Sequence, residues 1–178
     1  MDPAREANLD YFALFGLPRS QALDLGELEA RYRALQAEVH PDRYAHASAF
    51  EKRRAEQLTA RINEAWQTLK DPLKRARYLL ELAGHDIALE SNTAMPLEFL
   101  QAQMELREAV ADAKAAGDAA RLEELHAQLR RAMRDAYAAL QDALACGNVA
   151  RAGELVRELM FQEKLRQEIG DALEVLET

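Results

Sequence analysis

The sequence is poor in several residue types, and each scarcity excludes a class of protein. A single cysteine among 178 residues, Cys146, leaves no internal disulfide framework and no cysteine-rich zinc site. Only 7 glycines and 5 prolines occur, which excludes collagen-like and low-complexity chains. No run of about 20 apolar residues is present, so we expect no contact with a membrane through a spanning helix. The first residues lack the layout of a signal peptide, and a reducing cytoplasm is the expected location.

The charge balance narrows the partners further. The chain has 31 acidic residues against 23 lysines and arginines, a net charge of -8. An acidic chain has little general attraction for nucleic acid or anionic membranes, so we expect neither as a partner. Aromatic residues make up 6% of the sequence, so leucine and alanine must supply most of the core.

Apolar residues recur at helical spacing, and no segment has the pattern of a strand. The first half predicts two long helices, Leu25–Val39 and Phe50–Leu69, and a third that begins at Pro72 with Asp71 as its cap. Pro41 disfavours helical geometry at the residue before it, so the first long helix should end near His40. Trp66 and Tyr78 are expected in the core of this half.

The second half predicts three more helices after a break at residues 84–91. They run from Pro96 to about Ala115, from a cap at Asp118 to Gly147, and over Val149–Leu176. Short connections between them predict an antiparallel three-helix bundle. We therefore predict an all-α fold with a first domain at residues 1–83, a linker at 84–95 and a second domain at 96–178. Cys146, at a helix end, is expected to be a small buried thiol.

The turn between the first two long helices, His40-Pro41-Asp42, is the first candidate site. Three arginines surround it in sequence: Arg31, Arg33 and Arg43. No nucleophile with an adjacent base lies nearby, so we interpret the turn as a contact surface and not as a catalytic triad.

Two rivals to a contact surface stay open at this point. A metal-dependent hydrolase using His40 and Asp42 would need a third ligand, and the sequence offers no obvious one. A purely structural helical adaptor would tolerate loss of the turn. His46, His85 and His126 have no mutual metal-ligand spacing, so we expect no metal site and no cofactor.

Several stretches together resemble the HscB family, the J-domain co-chaperones of bacterial iron-sulfur cluster assembly. In the first half they are Asp10–Pro18, His40–Tyr44, Ile62–Leu69 and Arg75–Leu80, and in the second half Phe99-Leu100 and Met104–Glu108. The resemblance covers nearly the whole chain. It implies an N-terminal J domain, built as a helical hairpin around the His-Pro-Asp turn, and a C-terminal bundle that binds a client protein.

The resemblance also implies partners and roles. His40, Pro41 and Asp42 would contact a DnaK-type (HscA-like) chaperone and trigger its ATPase, so the chain itself would not be an enzyme. The basic surface beside the turn would come from Arg31, Arg33 and Arg43. Family members are often basic or neutral where this chain has Ala37 and Glu38, so we expect a weaker basic patch. A general J-domain co-chaperone that delivers unfolded clients is the alternative.

The client would be an iron-sulfur scaffold protein of the IscU type, bound by a monomer. The residues implied in its binding are Leu100, Gln101, Met104, Glu105, Glu108 and Phe161. Gln101 stands where the family has an apolar residue, so we expect lower affinity there or a contribution shared with Met104.

The helical periodicity of this segment tests the proposed client surface without use of the resemblance. One stripe of the helix is sufficient to pack it into the bundle: Phe99, Gln103, Leu106, Val110 and Ala113. A second stripe, about 120° away, contains Leu97, Leu100, Met104 and Ala111. Geometry alone leaves open whether the second stripe is buried too, whereas the resemblance favours an exposed apolar patch with a carboxylate rim.

Overall fold

The computed structural model of the chain describes residues 9–44, 46–85 and 95–176. All the regular elements in these ranges are helical, which confirms the all-α prediction. The α-helices are α1 (Tyr11–Leu14), α2 (Leu25–Glu38), α3 (Ala49–Lys70), α4 (Pro72–Leu82), α5 (Leu97–Ala116), α6 (Ala119–Ala145) and α7 (Val149–Leu176). A short 3-10 helix, Pro41–Tyr44, lies between α2 and α3. The chain divides into two compact units, Met1–Leu79 and Leu80–Thr178.

Capping residues set the helix boundaries close to the expected positions. At the start of α4, the Asp71 carboxylate accepts hydrogen bonds from the amides of Leu73 and Lys74, both at 2.9 Å. Asp118 accepts the amide of Arg121 at the start of α6, again at 2.9 Å. Gly117 ends α5 with a left-handed φ of 64°, a conformation that glycine adopts without steric cost.

In the first unit, α2 and α3 pack in opposite directions around a small apolar core. Leu28 of α2 and Ile62 of α3 are fully buried. Tyr32, near the middle of α2, stacks on Trp66 with ring centroids 4.6 Å apart. Val39, at the other end of α2, lines a cavity with Ala55. These pairings fix the antiparallel arrangement, so the loop after α2 lies at one end of the hairpin.

The aromatic side chains expected in the core, Trp66 and Tyr78, are less buried than predicted. Trp66 stacks on Tyr32, while Tyr78 stacks on Tyr11 with centroids 4.5 Å apart. All four rings are only half-buried. The hydroxyl groups explain this, because Tyr32 donates to Asn63 Oδ1 at 3.0 Å and Tyr78 accepts the amide of Tyr11 at 3.0 Å. Tyr32 and Tyr78 therefore lie at the edge of the core with their hydroxyl groups hydrogen-bonded.

The second unit contains the three-helix bundle. Its core is a continuous stripe of buried side chains on α6 that faces a second stripe on α7: Leu122, Leu125, Leu129, Met133 and Leu140 from α6, and Leu155, Leu159, Leu165 and Ile169 from α7. Leu144 and Leu173, which continue the helical spacing of these stripes, are half-buried near the helix ends. Cys146 is exposed, so the expectation of a buried thiol is wrong; it caps α6 just before Gly147, where the chain turns at the surface.

Within the described residues, no helix has both the length and the apolar character needed to cross a bilayer. Most of the predicted linker falls on residues 86–94, which lie outside the described residues. The domain boundaries at residues 83 and 96 therefore stay a prediction.

A chain that ends at Ala83 is expected to fold by itself. It retains the buried contacts of Phe12, Ile62 and Leu69 and both aromatic stacks. Circular dichroism should show a helical spectrum and a cooperative thermal transition. A fragment without a cooperative transition would place part of the required core in the later helices and the boundary elsewhere.

Candidate protein-interaction sites

The His40-Pro41-Asp42 turn presents two polar side chains to solvent. Val39 is buried and anchors the end of α2, where its amide donates to the carbonyl of Leu35 at 3.1 Å. The carbonyl of His40 accepts the amide of Arg43 at 3.0 Å, which closes the following 3-10 turn. The side chain of Asp42 is 91% exposed and that of His40 59% exposed. The buried anchor and the closed turn hold these exposed groups in place.

Contacts inside the turn indicate which imidazole nitrogen is available to a partner. The amide of Asp42 donates to Nδ1 of His40 at 3.3 Å, which requires an unprotonated Nδ1. The Asp42 carboxylate lies 3.5 Å from the same nitrogen, but it forms an ion pair only with a protonated ring. When Nδ1 accepts this hydrogen bond, the ring carries its proton on Nε2, which is then the donor left for a partner.

The arginines predicted beside the turn differ in their surroundings. Arg31 pairs with Glu27 at 3.1 Å and Arg33 pairs with Glu29, each one turn earlier on α2. Arg43, in the 3-10 helix, is exposed. The α2 arginines are therefore partly neutralised by their own helix, and such exposed pairs contribute little stability. A partner could break these ion pairs at a small cost in free energy.

The second candidate site is an exposed apolar face on α5, which we call the α5 patch: Leu97, Leu100 and Met104, with Phe161 of α7. Leu100 is 38% exposed, Met104 72% and Phe161 47%. Gln103, Val110 and Ala113 of the other stripe are buried, and Phe99 and Leu106 are half-buried. The alternative in which both stripes are buried is therefore wrong. Large apolar side chains left in solvent beside a packed core are typical of an interaction surface.

The bundle geometry places Phe161 at the level of Leu100. Since α6 runs antiparallel to both neighbours, α5 and α7 are parallel. Arg107 of α5 and Glu168 of α7 form an ion pair at 3.5 Å, which fixes their register. Two turns before this pair are Leu100 on one helix and Phe161 on the other. The two helices therefore contribute to one surface.

Two apolar residues that lie beside the implied client contacts have no assigned role. Leu97, one turn before Leu100, is 69% exposed, and Met160, next to Phe161, is 40% exposed. Leu97 belongs to the second stripe and could have been included from spacing alone. Met160 lacks a sequence signal, because an apolar residue in the middle of a bundle helix is most often buried.

Acidic and amide side chains border the α5 patch. Gln101, Glu105 and Glu108 are all exposed on α5. They lie one helical turn or less from Leu100 or Met104, so a partner that covers the apolar face must also meet these groups. The combination favours a partner with apolar anchors and a basic rim.

Metal chemistry has no support in the described parts of the chain. Over residues 9–44, 46–85 and 95–176, no three histidine, cysteine or acidic side chains come together in a group that could hold a metal ion. The hydrolase rival therefore has no third ligand for His40 and Asp42 among these residues.

Comparisons with known proteins match both units. A family model described as "DnaJ domain" matches residues 10–78. A second model, "HSCB C-terminal oligomerisation domain", matches residues 95–170. A co-chaperone protein HscB homolog of Azoarcus sp. (strain BH72) is 55% identical over 169 residues, which cover 94% of this chain and 96% of the relative.

Solved structures agree with these matches. Chaperone HscB from Vibrio cholerae superposes with a TM-score of 0.83 at 40% identity, covering 94% of this chain and 99% of that one. The crystal structure of the human co-chaperone protein HscB gives a TM-score of 0.86 at 29% identity, covering 92% of this chain and 81% of the human one.

Proposed function

The chain belongs to the HscB family of J-domain co-chaperones, and on that premise we propose that it delivers an iron-sulfur scaffold protein of the IscU type to a specialised DnaK-type (HscA-like) chaperone. It would stimulate the chaperone's ATPase and so aid the maturation or transfer of the cluster. The ATP site and the catalytic groups belong to the chaperone, so this chain is not an enzyme. The observation that carries the proposal is the presence of two separate exposed surfaces of different chemistry in one chain.

The polar turn is the surface assigned to the chaperone. His40 offers a donor at Nε2 and Asp42 offers an exposed carboxylate, and Pro41 restricts the backbone between them. Such a rigid set of polar groups loses little conformational entropy when a partner binds. Arg31, Arg33 and Arg43 would add favourable charge for an acidic partner surface.

The α5 patch is the surface assigned to the scaffold. Leu100, Met104 and Phe161 would insert into apolar recesses of the client, while Gln101, Glu105 and Glu108 would contact polar and basic groups around them. A few exposed large side chains of this kind carry most of the binding energy in known interfaces. Exposure of Leu97 and Met160 enlarges the apolar area around the position of Gln101, and this can offset the missing apolar residue there.

The double variant Glu105→Lys, Glu108→Lys is expected to weaken scaffold binding by about tenfold. Reversed charges at the rim slow association with a basic surface and alter its dependence on salt, whereas the apolar anchors remain. Stopped-flow association rates at low and high salt provide the measurement. The matched control is Glu123→Lys with Glu124→Lys, two exposed acids on α6. An equal loss in the control would mean that the net charge of the chain, and not the rim, guides binding.

Calorimetry with two kinds of client tests the proposed function against its alternative. A folded IscU-type scaffold should bind the full chain with 1:1 stoichiometry, and a chemically denatured protein should not. Binding of denatured proteins without binding of the scaffold would favour the general co-chaperone that delivers unfolded clients.

We also propose that the protein acts as a monomer in the cytoplasm. The α5 patch is then free for the client and not covered by a second copy. Light scattering should give a mass near 20.0 kDa, the mass of one chain, at micromolar concentrations. A stable dimer that dissociates when the scaffold is added would mean that the α5 patch mediates dimerisation as well as scaffold binding.

A further inference from the structure

We propose that the first turns of α3 form a second contact surface for the chaperone, next to the His40-Pro41-Asp42 turn. This surface, which we call the α3 entry surface, consists of Phe50, Lys52 and Arg53. Its partner is an acidic face of the DnaK-type chaperone with an apolar recess for one aromatic ring. The inference rests on the proposed function and adds residues that neither the motif nor the matches assign.

The net charge of α2 is negative, whereas the net charge of the segment that follows it is positive. Leu25–Glu38 contains two arginines against three glutamates, a net charge of -1, and both arginines pair with glutamates of the same helix. Residues 39–54 contain four basic residues against two acidic ones, a net charge of +2. In a chain with a net charge of -8, this positive segment can attract an acidic partner.

The acid in the first turn of α3 does not pair with the neighbouring cations. Glu51 accepts hydrogen bonds from the amide of Ser48 at 2.8 Å and from its hydroxyl at 2.7 Å. Hydrogen bonds from the side chain and the backbone of Ser48 hold the pKa of Glu51 below its ordinary value. In the described part of the chain, no side-chain hydrogen bond or ion pair engages Lys52 or Arg53, and the Lys52 amide donates to the carbonyl of Ser48 within the helix. Both side chains are exposed and available to a partner.

Phe50 provides the apolar component. Its side chain is 68% exposed, although most phenylalanines lie in a core. Arg54, one turn later, holds the ring from one side, with the guanidinium carbon 5.5 Å from the ring centroid. The ring is therefore oriented but not buried. An aromatic ring beside exposed cations has the composition that is enriched at the centres of protein interfaces.

The α3 entry surface adjoins the polar turn through Lys52. A cavity of about 530 Å³ is lined by Val39, which precedes His40, by Tyr44, which ends the 3-10 helix, and by Lys52. A partner that covers the turn therefore also reaches Lys52, the member of the surface that lies on this side of α3.

The test compares two variants of the full chain: Phe50→Ala, and Lys52→Gln with Arg53→Gln. For each, the steady-state ATPase rate of the DnaK-type chaperone from the same cell is measured as the co-chaperone concentration rises, at 50 and 200 mM salt. We expect the half-maximal concentration to rise by about tenfold for each at low salt, with a smaller salt dependence for the charge variant. The maximal rate should stay near that of the parent, because the His40-Pro41-Asp42 turn is intact.

The matched control is Lys70→Gln with Lys74→Gln, which removes two exposed charges from the other end of the hairpin. Parent-like half-maximal concentrations for both test variants, or an equal rise in the control, would overturn the inference. Reduced scaffold affinity with unchanged stimulation would also overturn it, because the surface would then serve the client. If the proposed function itself is wrong, the parent chain does not stimulate the chaperone. That result differs from failure of this inference, in which the parent stimulates and the variants match it.

Discussion

Replacing His40 with Gln should reduce the stimulation of the chaperone's ATPase to the unstimulated rate. The imidazole is exposed and its Nδ1 is engaged within the turn, so Nε2 is the donor left for a partner, and a glutamine in its place would carry its amide in a different position. The turn contributes little to stability, so the free energy of unfolding should change by less than about 0.5 kcal/mol. Single-turnover ATP hydrolysis with saturating co-chaperone measures the effect.

His46→Gln is the matched control for this variant. His46 is also exposed and lies a few residues beyond the turn, but outside the His-Pro-Asp sequence. The His46→Gln variant should stimulate the chaperone's ATPase as strongly as the parent chain does. If His40→Gln retains full stimulation while its thermal transition is unchanged, the turn is not the trigger, and the structural adaptor becomes the better account of this loop.

Truncating Leu100, Met104 and Phe161 together to alanine should lower scaffold affinity by roughly 100-fold or more, since each anchor of an interface contributes about tenfold or more. The melting temperature should change less than for core truncations, because all three side chains are partly exposed, from 38% for Leu100 to 72% for Met104. Buried side chains of this size would cost about 2–5 kcal/mol each, which a small domain with about 5–15 kcal/mol of total stability could not tolerate three times. Calorimetry and thermal melts on the same sample measure both quantities.

Leu129→Ala provides the opposite control. Leu129 is 1% exposed in the centre of α6, so its truncation should lower the melting temperature while scaffold affinity of the folded protein stays close to the parent value. A triple variant that binds the scaffold normally would remove the α5 patch from the client site. A triple variant that unfolds would return the three side chains to the core.

The helix boundaries were predictable because the signals for them are local. Asp71, Gly117 and Asp118 act within one turn of chain, so their effect is visible in sequence. The two stripes of α5 were also visible, since periodicity shows which residues share a face. Periodicity does not show whether a second helix covers that face, and only the resemblance favoured exposure of the stripe with Leu100 and Met104.

Sequence reasoning missed two aromatic stacks, which join residues far apart in the sequence, and the exposure of two apolar residues. The stacks of Trp66 on Tyr32 and of Tyr78 on Tyr11 join residues from different helices, and hydroxyl partners decide that the rings stay at the edge of the core. Phe50 and Met160 have the residue types of a core, and only the structure shows that they are exposed.

One measurement tests most directly whether scaffold binding is coupled to stimulation of the chaperone's ATPase. The ATPase rate of the chaperone is recorded with the co-chaperone alone, with the IscU-type scaffold alone, and with both. We predict that both together stimulate more than the sum of the separate effects, and that the Leu100, Met104, Phe161 triple variant loses this excess while keeping its own stimulation. Purely additive rates with the parent chain would contradict the account, because the two surfaces would then act independently.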